Sequence, residues 1–249
     1  AFVASAVRLP AGERSIALQP LAGSESLSPR CWWLIGTFIS AFFGLEVRVC
    51  EPAALDESRS GTRRAPDTGA SQWCAVNVLQ QLLDHKPPDV GCLLGITMQD
   101  LYPQPVVDFV FGEASVTRRV AVCSLARFGP PYCEDPPGER QAAMLRRCCK
   151  VAAHEIGHML GMAHCVRYRC LMNGSSTLAE SERRPLHLCP QDLRKLQWAT
   201  GIDIADQRLR LERFWRDAGH ADEADWLARR RALDVPFWRR FLPRGLQPL

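Results

Sequence analysis

Residues 154–164 read His154-Glu155-Ile156-Gly157-His158-Met159-Leu160-Gly161-Met162-Ala163-His164, a spacing of H-E-x-x-H-x-x-G-x-x-H that few chain arrangements satisfy. On a helix, His154 and His158 project from one face, one turn apart, and can grip a single zinc ion. Glu155 follows the first ligand, where a general base for an attacking water would stand. Gly161 permits a positive φ, which ends the helix and turns the chain. His164 then returns as a third ligand. Three protein ligands leave the fourth position open, the arrangement of a catalytic zinc. H-E-x-x-H alone can arise by chance on an amphipathic helix. The added Gly and third His make a coincidental surface helix the poorer reading.

Cys165 follows His164 directly, Cys170 comes after four intervening residues, and Cys189 lies farther on. The sequence holds eleven cysteines, an odd number, and no charged-then-apolar leader opens it. Both features argue against a disulfide framework and for reduced thiols in an intracellular, cytoplasmic setting. Three Cys in one reduced neighbourhood then suggest a structural zinc site. A fourth Cys at 192 would complete a C-x-x-C pair, but Asp192 stands there. A carboxylate can bind zinc, and His187 is a second candidate; the bland alternative is a set of buried thiols. Zn2+ is thus expected twice, one catalytic and one structural.

Around these clusters the apolar pattern implies an α/β chain. Short apolar or alternating runs at 15–21, 45–49, 90–97, 108–113 and 119–128 read as strands. Residues 32–43, stopped by Gly44, and 73–85 read as helices between them. That order predicts a twisted, mostly parallel sheet with one antiparallel edge strand within 108–115. Residues 139–160 lack Pro and carry an apolar stripe of Met144, Cys148, Val151, Ile156 and Met159, so the H-E-x-x-H helix should begin well before His154. Residues 52–71, polar and without periodicity, read as an exposed mobile loop, and 129–138 as a Pro-rich loop. Helical patterns follow at 193–198 and 209–231, and residues 235–241 read as a segment docking back on the core. The expected division is an N-terminal subdomain, 1–164, and a small helical zinc-braced C-terminal subdomain, 165–249. Net charge is +4 at 249 residues. That charge is too mild to imply nucleic acid, and the arginines at 229–231 and 239–240 are better read as covering a protein surface. The longest charge-free run, residues 31–45, is short for a membrane span. No nucleic-acid or membrane partner is expected, and the chain reads as a monomer.

The run 154–192 resembles the archaemetzincin (archaelysin) family. In that family the three His continue into C-x4-C-x-M and then C-x-x-C; here His154, Glu155, His158, Gly161, His164, Cys165, Cys170, Met172 and Cys189 stand at matching places, and Asp192 replaces the last Cys. Weaker likeness extends upstream through 94–102 and 109–114. The resemblance implies a compact metzincin-type zincin fold, two zincs, and peptide hydrolysis, with aminopeptidase-like activity as one mode. Met172 would be the Met-turn, an apolar floor under the three imidazoles. A pocket wall is expected around 172–176. The competing reading keeps the metal site without turnover: a zinc-stabilised binding protein. A basic interaction module rests only on the Arg-rich tail.

Overall fold

The computed structural model describes residues 8–129 and 139–234. β1 (Ser15–Pro20) is an apolar run buried along nearly all its length. α1 (Pro29–Phe43) follows, with the Ser28 hydroxyl accepting from the Cys31 N–H at 3.2 Å and Pro29 in the first turn, where its missing N–H costs nothing. β2 (Glu46–Val49) is largely exposed. A short helix α2 (Glu57–Ser60) and a hairpin of β3 (Thr62–Arg64) and β4 (Ser71–Cys74) lead into α3 (Ala75–Asp84). Then come β5 (Cys92–Thr97), β6 (Asp100–Tyr102), β7 (Gly112–Ser115), β8 (Val120–Ser124) and the long helix α4 (Glu139–Met159). Four helices close the described chain: α5 (Leu178–Arg183), α6 (Pro190–Thr200), α7 (Ile204–Asp217) and α8 (Ala221–Asp234).

The main sheet has the strand order β2-β1-β5-β8-β7. Neighbours pair in parallel except β7, which runs antiparallel to β8 at the edge. The expected mostly parallel sheet with an antiparallel edge is therefore present. Strand alternation divides the interior between the two faces of this sheet. Ile16, Leu18, Cys92, Leu94, Ile96, Ala121 and Cys123 face the core that holds α1, α4 and the C-terminal helices. Ala17, Leu93, Val120 and Val122 face the smaller core under α3. Phe38 of α1 is fully buried at the centre of the first core, with ring centroids 5.4 Å from Trp215, 5.5 Å from Phe42 and 5.6 Å from Phe214.

Several sequence expectations need correction. Residues 52–71 are not one irregular loop: they hold α2 and β3, and β3-β4-β6 form a second, three-stranded sheet. Their order comes from polar contacts. Arg127 bridges Asp67 at 2.6 Å and the buried Asp100 at 2.7 Å, and Gln72 Nε2 donates to Asp100 at 2.9 Å. The helix expected over 73–85 starts at Ala75, because Trp73 is buried as a strand residue paired with Thr62 and Leu101. The strand expected over 108–113 forms at Gly112–Ser115; Val110 instead makes an isolated bridge to Leu101. The single helix expected over 209–231 is two, α7 and α8, broken at Gly219, and they pack as a hairpin. The docking expected for 235–241, Arg239 and Arg240, and the loop at 130–138 lie outside the described residues. Among the described residues no helix is long and apolar enough to cross a membrane.

Phe38→Ala removes the ring on which α1 and α7 meet. We expect it to cost about 3–5 kcal/mol of unfolding free energy, read from urea denaturation of the otherwise unchanged chain.

Candidate active site

α4 carries three of the expected residues. Its apolar stripe, Met144, Cys148, Val151, Ile156 and Met159, is buried in the main core, which fixes the rotation of the helix. His154, Glu155 and His158 then line a cleft beside β7. The chain turns at Gly161, φ 84°, and brings His164 back. His154 Nε2 lies 3.1 Å from His158 Nε2 and 3.3 Å from His164 Nε2. Two of the other ring nitrogens are engaged: His154 Nδ1 donates to the Leu171 carbonyl at 2.9 Å and His158 Nδ1 to the Met162 carbonyl at 2.7 Å. Those bonds set the tautomers of His154 and His158 and leave bare lone pairs on their facing Nε2 atoms. Lone pairs pointed at one another repel unless a cation sits between them. A tetrahedral zinc with Zn–N of 2.0–2.1 Å needs N···N spacings of about 3.3 Å, so these residues fit that ion. Burial pushes all three imidazoles below their ordinary range, and the nearby Arg184 charge adds to it. They stay in the neutral form that a metal requires.

Glu155 is buried and packs against β7. A methyl group on Gly112 would lie 2.5 Å from the Glu155 carboxyl, so the strand leaves room for it only because residue 112 is Gly. Burial, aided by Glu113 and opposed by Arg184, pushes the Glu155 carboxyl up to about 8. Gly112 was not singled out from sequence; a Gly interrupting a strand pattern is the signal that marks such a close approach. The cleft, about 340 Å³, is lined besides by Phe111, Glu113, Val151, Ser175 and Arg184. Ser175 falls in the expected wall segment. Arg184 had no sequence signal.

The second cluster also assembles. One ligand atom from each of Cys165, Cys170, Cys189 and Asp192 lies within 4.8 Å of the others. Cys165 Sγ is 3.9 Å from Cys189 Sγ, and Asp192 Oδ2 is 3.3 Å from Cys170 Sγ and 3.4 Å from Cys189 Sγ. Tetrahedral zinc with S and O ligands needs separations of about 3.5–3.8 Å, so Asp192 fits the place of the missing Cys. Its other oxygen pairs with Lys195 at 3.1 Å. Backbone N–H groups of Met172 and Cys189 point at Cys170 Sγ at 3.4 and 3.2 Å, stabilising a thiolate against burial. His187, the alternative ligand, is not in the cluster: its ring stacks on Trp226, centroids 3.9 Å apart. All ten described cysteines are free thiols. Met172 is fully buried, and a methyl on Gly157, between the two helical His, would lie 2.6 Å from its sulfur. Asn173, within the expected wall segment, binds the intervening loop: Oδ1 accepts from the Cys170 N–H at 2.9 Å and Nδ2 donates to the Cys165 and Tyr168 carbonyls at 2.5 and 2.8 Å.

Fold and site together define a mixed α/β protein whose cleft brings together three histidines that could hold a metal ion. Residues 88–198 match the model for Peptidase family M54. The chain is 39% identical to archaemetzincin-2 of Macaca fascicularis over 74% of this chain and 58% of that protein. It is 33% identical to archaemetzincin-1 of Homo sapiens over 80% of this chain and 45% of that protein. The crystal structure of archaemetzincin from Methanopyrus kandleri superposes with a TM-score of 0.60 at 30% identity, covering 77% of this chain and 98% of that one. The chain belongs to the archaemetzincin family, a family of zinc metallopeptidases. The general character of the sequence suggests vertebrate archaemetzincin-1, but the identities correct that finer likeness: they are higher to archaemetzincin-2, 39% against 33%. The chain spans about half to three-fifths of the length of these curated relatives.

In the metal-free protein the raised Glu155 carboxyl has a stability consequence of definite sign. The stability it carries when neutral is fully present below its ordinary value of 4.5 and is lost as pH rises through about 8. Glu155→Gln should therefore gain more over wild type at pH 9 than at pH 6 in urea denaturation. An equal difference at both pH values would mean that the carboxyl is not held neutral.

Proposed function

We propose that this chain is a zinc-dependent peptidase of the metzincin type, its catalytic zinc held by His154, His158 and His164. A second, structural zinc is held by Cys165, Cys170, Cys189 and Asp192. The observation that carries the reading is the convergence of imidazole Nε2 atoms beside a buried carboxyl in an open cleft. When bound there, zinc supplies Lewis acidity toward a peptide carbonyl and lowers the pKa of water. The rest is done by the chain. Glu155 takes the proton of the attacking water as its oxygen adds to the carbonyl carbon, and returns it to the amine nitrogen as the C–N bond breaks. The charge of a zinc ion held beside it would draw the Glu155 carboxyl down from its raised metal-free position, toward the ionised form that a base needs. β7 ends its sheet, so its outer edge offers backbone groups to an extended peptide. The cleft then lies between an N-terminal subdomain, 1–164, and a C-terminal one, 165–249. Aminopeptidase-like trimming is the mode that the family resemblance implies, and a monomer is the working state.

A peptide-library digest read by mass spectrometry tests the reading. Zinc-loaded wild type should cut peptides, and Glu155→Ala should retain zinc while losing at least about a hundredfold in rate. Unchanged cutting by Glu155→Ala would overturn the assigned base. An intact library with wild type would leave a zinc-stabilised binding protein. Metal analysis should give about two zincs per wild-type chain, about one for Cys170→Ala, and two again for Asp192→Cys.

A further inference from the structure

Arg184 is a buried cation that the reaction above does not use. It follows α5 and is 5% exposed, yet it lines the cleft with Val151, His154 and Ser175. Its Nη1 donates to the Asn173 carbonyl at 3.0 Å and its Nη2 to Ser181 Oγ at 3.2 Å. Its Nε is buried without a hydrogen-bond partner. Nη1 also lies 3.0 Å from His154 Nδ1, but that nitrogen already gives its proton to Leu171 and has no lone pair to offer. No carboxylate among the described residues pairs with the guanidinium. Five N–H groups in a planar fork therefore have two neutral acceptors and no carboxylate in hydrogen-bond reach; Glu155, across the same cleft, is the acid whose charge acts on it. Burying a charge so incompletely paired is unfavourable, and such a group beside a reactive site marks a place where a ligand supplies the missing charge.

We propose that Arg184 is the carboxylate-binding residue of the cleft, taking a substrate carboxylate next to the bond that is cut. Its guanidinium stands one imidazole ring away from the converging Nε2 atoms, so a group held there lies about one residue from the reacting carbonyl. Two sources supply that chemistry: the free C-terminus of a short peptide, or an Asp or Glu side chain flanking the bond. The planar fork matches either carboxylate. Arg184 also borders a more open groove in which Arg169, Arg183 and Arg229 alternate with Glu182, Asp222 and Glu223. The proposal rests on the peptidase reading for the nature of the ligand, and its test is a binding measurement that needs no turnover.

Zinc-loaded Glu155→Gln protein is titrated by calorimetry with matched pentapeptides: a neutral sequence ending in a free carboxylate, its C-terminal amide, and amides carrying one Glu at successive positions. The carboxylate peptide, or one of the Glu amides, should bind about tenfold to a hundredfold more tightly than the neutral amide, and which one does identifies the source. Arg184→Met should abolish the contrast. Arg184→Lys keeps the charge but not the fork and should reduce the contrast at least about threefold; it decides the matter if Arg184→Met does not fold. Arg169→Ala with Arg229→Ala should leave the contrast intact. Equal affinities throughout the set, an unchanged contrast in Arg184→Lys, or its loss in the groove variant would overturn the proposal. If wild type leaves every peptide uncut while the contrast holds, the peptidase reading fails and the carboxylate site stands.

Discussion

The structure depends on bringing imidazole nitrogens to 3.1–3.3 Å with their protons pointed away. Without a cation that arrangement is repulsive and buries polar groups at a cost. With one it becomes a set of short bonds. Most of the surrounding architecture serves that convergence. Helix α4 is pinned against the sheet by its apolar stripe, and the carbonyls of Leu171 and Met162 hold two rings in the metal-ready tautomer. The close approach at Gly112 sets Glu155 between β7 and the cleft.

The two clusters are mechanically one unit. His164 and Cys165 are consecutive, and the Cys165 N–H donates to the Met172 carbonyl at 2.9 Å. Asn173 ties both ends of the loop between them and passes its own carbonyl to Arg184. A metal among the three Cys and Asp192 would thus stiffen the segment that returns His164 to the cleft. In that arrangement Asp192 would stand in for one thiolate with the same charge, while its other oxygen pairs with Lys195.

What was legible in sequence was local chemistry and apolar rhythm. The spacing of three His and one Glu specifies a metal helix by itself, and the apolar runs at β1, β5 and β8 announce strands. What was not legible depends on residues far apart in the chain. The β3-β4 hairpin reads as a loop because its order comes from Arg127 reaching Asp67 and Asp100 rather than from apolar periodicity. Trp73 fits a helical stripe equally well, and only pairing with Thr62 and Leu101 makes it a strand residue. Arg184 sits in a polar run, Ser181-Glu182-Arg183-Arg184-Pro185, that looks like solvated surface; its burial against His154 is a product of the tertiary fold alone.

Zinc K-edge X-ray absorption on the purified chain tests the central claim most directly. Two filled sites, one with three imidazoles and one with three thiolates and a carboxylate, predict about 1.5 sulfurs per zinc at about 2.3 Å, with N/O scatterers at about 2.0–2.1 Å and the outer-shell pattern of imidazole. Sulfur alone, with no imidazole scattering, would contradict the account, because it would mean that the three histidines converge without binding the ion.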